Sequence, residues 1–244
     1  MRGGFDLSGR RILITGAGSG IGAATAAVCA TLGAETILVD INRDGEGVAA
    51  SIRQSGGLAT AEIADVSRRV EVERVANKVG PLDGLVLNAA ICPWDEDWAA
   101  ADWDASFERV MRVNVLGLIH GARAFLPGMV ARRKGAIVLV GSLAGRMGGL
   151  IAGPHYVASK GAVHALVKWL ARQAAPHGVL VNAVAPASVE TPMMKERPVD
   201  LARIPLGRKA APEEIGWPIA FLCSDAASYI CGAILDVNGG VYMS

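Results

Sequence analysis

Short apolar runs alternate along the chain with longer stretches in which apolar residues recur at helical spacing. The runs lie at 10–15, 35–40, 58–64, 84–88, 135–142, 180–185 and 233–237, and they are rich in Val, Ile and Leu at consecutive positions. Strands buried on both faces read this way, because a half-exposed strand would alternate apolar with polar. The helical stretches fall between the runs, at 22–32, 45–54, 67–79, 103–129, 156–175 and 212–223. Ser67 is placed to cap the third, and Pro212-Glu213-Glu214 marks the start of the last. Strict alternation predicts an α/β fold: a doubly wound parallel sheet of about seven strands with helices on both faces. No repeat or linker divides residues 1–244, so one domain is expected to hold the whole site. Ligands on such sheets bind beyond the carboxyl ends of the strands, which makes the residues just after each run the candidates for function.

Composition narrows the picture. The chain is 52% hydrophobic but only 5% aromatic, with 30 glycines, which suits close helix–sheet packing better than a β-sandwich. Lys and Arg total 24 against 23 Asp and Glu, a net charge of +1 that excludes a strongly basic nucleic-acid binder and an acidic tail. Cys29, Cys92, Cys223 and Cys231 show no C-x-x-C spacing and fit a reducing compartment. Residues 1–10 carry no apolar core of a signal peptide, and glycines, Thr15 and Ser19 interrupt the long uncharged stretch from 12 to 34. A soluble, cytoplasmic protein with no membrane or nucleic-acid partner is expected. The four histidines form no H-E-x-x-H and no cluster with cysteine, so no metal is expected.

Three features carry candidate chemistry. After the first run comes Thr15-Gly16-Ala17-Gly18-Ser19-Gly20-Ile21-Gly22, opening a helix. Glycines there permit a tight turn and let backbone N–H groups and the helix N-terminus approach a pyrophosphate. Without a ligand it would be only a glycine-rich turn. Asp40 ends the second run 18 residues after Gly22, where an acid can accept from the adenosine ribose hydroxyls and repel a 2′-phosphate; a helix cap is the plainer reading. Tyr156 and Lys160 stand four apart on one helical face, either as a solvated pair or as a phenol whose pKa a neighbouring cation lowers. Ser142 ends the fifth run, and Asn114 is a polar residue between Val113 and Val115, so it is either a satisfied core asparagine or a functional one.

With Asp65, Asn88-Ala89-Ala90, Asn114, Ser142, Tyr156-Val-Ala-Ser-Lys160, Pro186 and Thr191-Pro192-Met193 added to the glycine loop, the chain resembles the short-chain dehydrogenase/reductase family from Leu7 to its end. The resemblance implies a Rossmann-type sheet of order 3-2-1-4-5-6-7, an NAD cofactor and a homotetramer. It implies Tyr156 as proton donor or acceptor, Ser142 as partner of the substrate oxygen, Lys160 on the nicotinamide ribose, and Asn114 holding a water in a proton relay. Around the cofactor it implies Gly16, Ser19, Gly20, Ile21, Gly22, Asp40, Asp65, Val66, Asn88, Ala89, Tyr156, Lys160, Pro186, Val189 and Thr191. Ala90 and Ala187 stand where the family usually has glycine. The mostly apolar helix at 156–175 suggests a helix-mediated subunit interface.

The same resemblance assigns the substrate pocket to three segments. They contain Cys92, Pro93, Trp94 and Trp98; Leu143, Met147, Leu150, Ile151 and His155; and Met193 and Met194. Their only basic residues are Arg146 and Lys195, so the expected substrate is an uncharged, bulky ketone or secondary alcohol, aryl or cyclic, handled by an NAD-dependent oxidoreductase. One alternative is a 3-oxoacyl thioester reductase, for which the basic run Arg132-Arg133-Lys134 would dock an acidic carrier protein; Asp40 argues against its usual NADPH. Another is a non-catalytic nucleotide-sensing protein, which would have lost Tyr156 or Lys160.

Overall fold

The computed structural model describes residues 4–94, 96–149 and 151–243. Seven strands form one parallel sheet: β1 (Arg11–Thr15), β2 (Glu35–Asp40), β3 (Leu58–Ile63), β4 (Gly84–Leu87), β5 (Gly135–Val140), β6 (Val179–Pro186) and β7 (Ile234–Val237). Their order is β3-β2-β1-β4-β5-β6-β7, as the resemblance implied. The helices are α1 (Gly20–Thr31), α2 (Asp44–Gln54), α3 (Arg69–Val79), α4 (Trp103–Met111), α5 (Gly117–Arg132), α6 (Ala144–Met147), α7 (Pro154–Ala174) and α8 (Glu213–Leu222).

Alternation along each central strand feeds two cores. Ile12, Ile14, Leu38, Val86, Val138 and Val184 face one side, against Ala26, Val28, Ile52, Ile215 and Ile219 of α1, α2 and α8. Leu13, Ile37, Leu85, Leu87, Ile137 and Leu139 face the other, against Leu118, Phe125, Val163, Val167 and Leu170 of α5 and α7. The stretch from Trp103 to Arg132 is long and apolar enough to span a bilayer by composition; here its apolar residues Leu118, Ala122, Phe125 and Met129 cover the sheet.

Two local expectations change. The stretch 103–129 is not one regular helix: a π turn over Arg112–Leu116 separates α4 from α5 and contains the fully buried Asn114. Such a turn inserts a residue into the helical ladder and re-aims the side chains around it. Ser67 does not cap α3, which begins at Arg69 with no side-chain cap. Instead the Ser67 N–H donates to Asp65 Oδ1 at 2.8 Å, an Asx-type turn that fixes the end of the β3 connection.

Candidate active site

The carboxyl ends of β1, β2, β4, β5 and β6 open into a cleft of about 400 Å³. At its floor lies the glycine loop. Gly16 and Gly20 have φ of +64° and +51°, conformations costly for residues with a Cβ. A Cβ on Gly16 would meet Ala89 Cα at 2.8 Å, and one on Gly20 would meet Thr191 Cγ2 at 3.0 Å. The loop is therefore wedged between the segments that follow β4 and β6. Gly22 does not line the cleft. Its role is packing: a Cβ there would overlap the Gly16 carbonyl oxygen and stand 2.7 Å from Asn88 Nδ2. Gly22→Ala is expected to lower the Tm by several degrees, since overpacking costs about 1–3 kcal/mol and each of these shifts Tm by about 2–4 °C at this size. Thermal unfolding of the cofactor-free protein checks this; an unchanged Tm would show that the loop relaxes at no cost.

The loop is held from both sides. Asn88, the first residue beyond β4, donates through Nδ2 to the carbonyls of Thr15 and Gly16 at 2.9 and 3.0 Å. Asp40 accepts from the Gly18 N–H at 2.7 Å with Oδ2 and from the Ile41 N–H at 2.8 Å with Oδ1. A carboxylate has about four acceptor sites, so roughly two remain for a ligand. Arg43 is exposed and lies outside the residues lining the cleft. Gly16, Ser19, Gly20, Ile21, Asp40, Asp65, Val66, Asn88, Ala89, Pro186, Val189 and Thr191 line one continuous surface, as do Ala90 and Ala187. The cradle has the shape and donors that a dinucleotide needs: backbone N–H groups at a helix start, no Cβ where the phosphates approach, and an acid one strand away.

At the other end stand Ser142, Tyr156 and Lys160. Tyr156 sits in the first turn of α7, and its hydroxyl hydrogen-bonds the Ser142 side chain. The Ser142 Oγ also accepts from the Ala144 N–H at 3.1 Å. Lys160 is 2% exposed; its Nζ donates to the Val140 carbonyl at 2.9 Å and lies 5.5 Å from the Tyr156 ring centroid. Burial lowers its pKa to about 8, partly opposed by Cys92. The phenol does not follow the simple expectation of a cation lowering its pKa. Burial pushes Tyr156 above its usual value and Cys92 adds to this, while the Ser142 hydrogen bond works the other way. Desolvation outweighs the Ser142 hydrogen bond because the neutral phenol needs no water and the phenolate does.

Asn114 is fully buried beneath this group. Its Oδ1 accepts from the Ile91 N–H at 2.8 Å, and Nδ2 donates to the Ile91 carbonyl at 2.9 Å and to Ser159 Oγ at 3.0 Å. The Ser159 hydroxyl donates in turn to the Tyr156 carbonyl at 2.7 Å. Asn114 thus ties the segment after β4 to the first turn of α7, and one lone pair of Oδ1 stays open.

The expected substrate residues divide. Trp94, Leu143, Ile151, Met193 and Met194 line the cleft. Met147 and Trp98 do not: they are 42% and 69% exposed, on its outer side. His155 does not either. It is buried against Trp103, with Nδ1 accepting from the Tyr156 N–H at 2.7 Å and Nε2 3.2 Å from Glu96 Oε2. Leu150 lies outside the described residues. Arg146 is committed to Asp236 at 3.0 Å and to the Ile234 carbonyl. The expectation of almost no cations near the pocket also changes. Arg109, Arg112 and Arg197 join Lys195 around an adjoining groove. Arg109 comes from α4 and Arg112 from the π turn that follows it, outside the three segments that sequence spacing pointed to, and only the tertiary fold brings them alongside.

The buried acids set the alkaline stability. Burial raises Cys92 and Cys223 to about 12, and Cys29 well above its ordinary value. Unfolded thiols ionise near pH 8.5, so between there and the folded values the unfolded chain holds fewer protons and stability falls as pH rises. Tyr156 acts in the same sense. Lys160 acts in the opposite sense from about pH 8 upward, because the unfolded lysine keeps its proton longer. Three thiols and a phenol outnumber one amine. The urea midpoint of the cofactor-free protein should fall between about pH 9 and 11, and Cys223→Ala should flatten the fall. A midpoint that rises over that range contradicts the balance.

Comparison with known proteins places this geometry. A family model described as enoyl-(acyl carrier protein) reductase matches residues 16–242. A short-chain type dehydrogenase/reductase from Mycobacterium marinum superposes with a TM-score of 0.90 at 32% identity, covering 98% of each chain. The chain belongs to the short-chain dehydrogenase/reductase family. This dehydrogenase/reductase is 39% identical to galactitol 2-dehydrogenase (L-tagatose-forming) of Cereibacter sphaeroides, over 97% of this chain and 96% of that one. It is 37% identical to a 3-oxoacyl-[acyl-carrier-protein] reductase of Thermotoga maritima, over 96% and 98%. A 3-oxoacyl-[acyl-carrier protein] reductase of Brucella melitensis, solved with bound NAD, superposes at a TM-score of 0.90 with 32% identity, over 98% of this chain and 94% of that one. As a family member, this protein is an oxidoreductase that interconverts alcohol and ketone, in a fold whose relatives bind nicotinamide cofactors, some NAD and some NADP.

Proposed function

We propose that this short-chain dehydrogenase/reductase transfers hydride between NAD(H) and a secondary alcohol or its ketone, with Tyr156 as the general acid/base. The observation that carries the reading is the convergence of Ser142, Tyr156 and Lys160 at one end of the same cleft that holds the glycine loop and Asp40 at the other. Bound nicotinamide supplies or accepts the hydride. The Ser142 hydroxyl and the Tyr156 phenol together hold the substrate oxygen. Burial keeps the phenol protonated in the free protein, which suits delivery of that proton to the oxygen of a ketone. Lys160 would meet the nicotinamide ribose, and Asn114 would order a water at its open Oδ1 lone pair. Asp40 would accept from the adenosine ribose hydroxyls, with Asp65 and Val66 beside the adenine and Thr191 near the carboxamide.

Around the reacting carbon the walls are Ile91, Trp94, Leu143, Ile151, Met193 and Met194. Such a lining favours an uncharged, bulky group, cyclic or aryl, at that carbon, and the methionines adapt to its shape. The cis-4-hydroxycyclohexanecarboxylate dehydrogenase of Sinomonas cyclohexanicum, 39% identical over 95% of this chain, offers a cyclic precedent. The reading includes a homotetramer joined through α7, whose outer face leaves Trp169 59% exposed while Val163, Val167 and Leu170 pack on the sheet. It also places the protein in the cytoplasm, a setting supported by four unpaired cysteines.

Steady-state assays of NAD and NADP against cyclic alcohols, aryl alcohols and acyl thioesters test it. NAD-dependent turnover of a cyclic or aryl secondary alcohol is the expected result. Activity restricted to acyl thioesters with NADPH would replace this reading with the carrier-protein reductase.

A further inference from the structure

Beside the catalytic cleft runs a groove of about 850 Å³. The two share Ile41 and Asp65 toward the cofactor end, and Ile91, Trp94, Val113 and Met193 among their other common walls. The groove is further lined by Arg109, Arg112, Lys195 and Arg197, against the carboxylates of Asp65 and Glu196. Arg109, in the last turn of α4, and Arg112, which opens the π turn, stand three apart and both line this groove. Arg109 pairs with Glu96 at 3.3 Å, and the Arg197 guanidinium lies over the Trp94 ring, 5.2 Å from its centroid. Among the described residues, no carboxylate stands within ion-pair distance of the exposed Arg112 or Lys195. The partition between the cavities is braced: Trp94 Nε1–H donates to the Met193 carbonyl at 3.1 Å.

We propose that this groove holds an anionic group, carboxylate or phosphate, carried by the substrate away from its reacting carbon, with Arg112 and Lys195 as its main cations. The inference rests on the adjoining cleft being the catalytic one. The cofactor's own phosphates do not account for these cations. The glycine-loop residues Gly16, Ser19 and Gly20 line the cleft and are absent from the groove. Arg109 is neutralised by Glu96, so the argument rests on Arg112 and Lys195, whose charge a concave site leaves only partly screened by solvent. The substrate then has two parts, an apolar one at the reacting carbon and a charged one in the groove.

Three substrates with the same reacting centre test this: ethyl 3-hydroxybutyrate, 3-hydroxybutyrate and 3-hydroxybutyryl-coenzyme A. At least one anionic member should exceed the neutral ester tenfold in kcat/KM. That advantage should shrink at least fivefold in Arg112→Gln/Lys195→Gln, and also in the wild type at 0.5 M salt, where the Debye length is only about 4 Å. The carboxylate leading identifies a short reach, and the thioester leading identifies a phosphate further out. An ester equal to or better than both anions overturns the groove while leaving the oxidoreductase reading standing. So does an anionic advantage that neither the variant nor salt reduces. If none of the three is turned over, the parent reading is judged on the cyclic and aryl alcohols, and binding decides the groove. Calorimetric titration of the NAD-loaded protein with 3-hydroxybutyrate and with coenzyme A then decides the groove. Binding weakened tenfold in the double variant supports it; no binding, or equal binding in both proteins, ends it.

Discussion

Tyr156→Phe is expected to fold and bind cofactor as the wild type does, and to lose at least 100-fold in kcat. General acid–base catalysis contributes roughly 10²–10⁴ in rate, and the phenol oxygen is the only atom the substitution removes. The ring keeps its place in the first turn of α7, and the backbone bonds of Tyr156 to His155 and Ser159 do not involve the hydroxyl. What is lost is the hydrogen bond to Ser142 and the proton itself. Unchanged cofactor affinity with a collapsed kcat, read by fluorescence titration and steady-state kinetics, separates a chemical role from a structural one. Retention of more than half the wild-type kcat would remove Tyr156 from the mechanism.

The second large effect belongs to Asp40. Hydrogen bonds to a charged group contribute about 1.5–3 kcal/mol, so Asp40→Ala should weaken NAD binding on the order of tenfold to a hundredfold. Part of any loss comes from the Gly18 and Ile41 N–H groups that Asp40 now accepts from. The discriminating readout is therefore the ratio of kcat/KM with NAD to that with NADP. The variant should lower that ratio, because removing the carboxylate also removes the charge that repels a 2′-phosphate. A wild-type preference for NADP, or a ratio untouched by the substitution, would overturn the assignment.

Much of this protein was legible in the order of its residues. Strands buried on both faces leave consecutive apolar runs. Seven such runs separated by helical stretches leave few topologies for a parallel sheet, and the observed order is the one the resemblance implied. The residues that line the cleft were legible for a related reason: they follow the strands directly, so each position in the sequence also gives a position at the sheet's carboxyl edge. Gly16, Asn88 and Ser142 are of this kind, Asp40 is the last residue of its strand, and Thr191 follows β6 by five residues.

Tertiary packing decided the rest. Asn114 sits in a π turn because burial of its amide against Ile91 and Ser159 repays a break in the helical ladder, a long-range bargain with no local signature. The rise in the Tyr156 pKa comes from desolvation, which depends on what surrounds the phenol rather than on the lysine four residues on. His155 turns to Glu96 and Trp103 instead of the cleft, since its place in the first turn of α7 aims it at α4. Sequence spacing can place a side chain at the end of its own strand. It cannot bring Arg109 of α4 and Arg112 of the π turn beside Lys195 and Arg197, because that meeting depends on how separate elements pack.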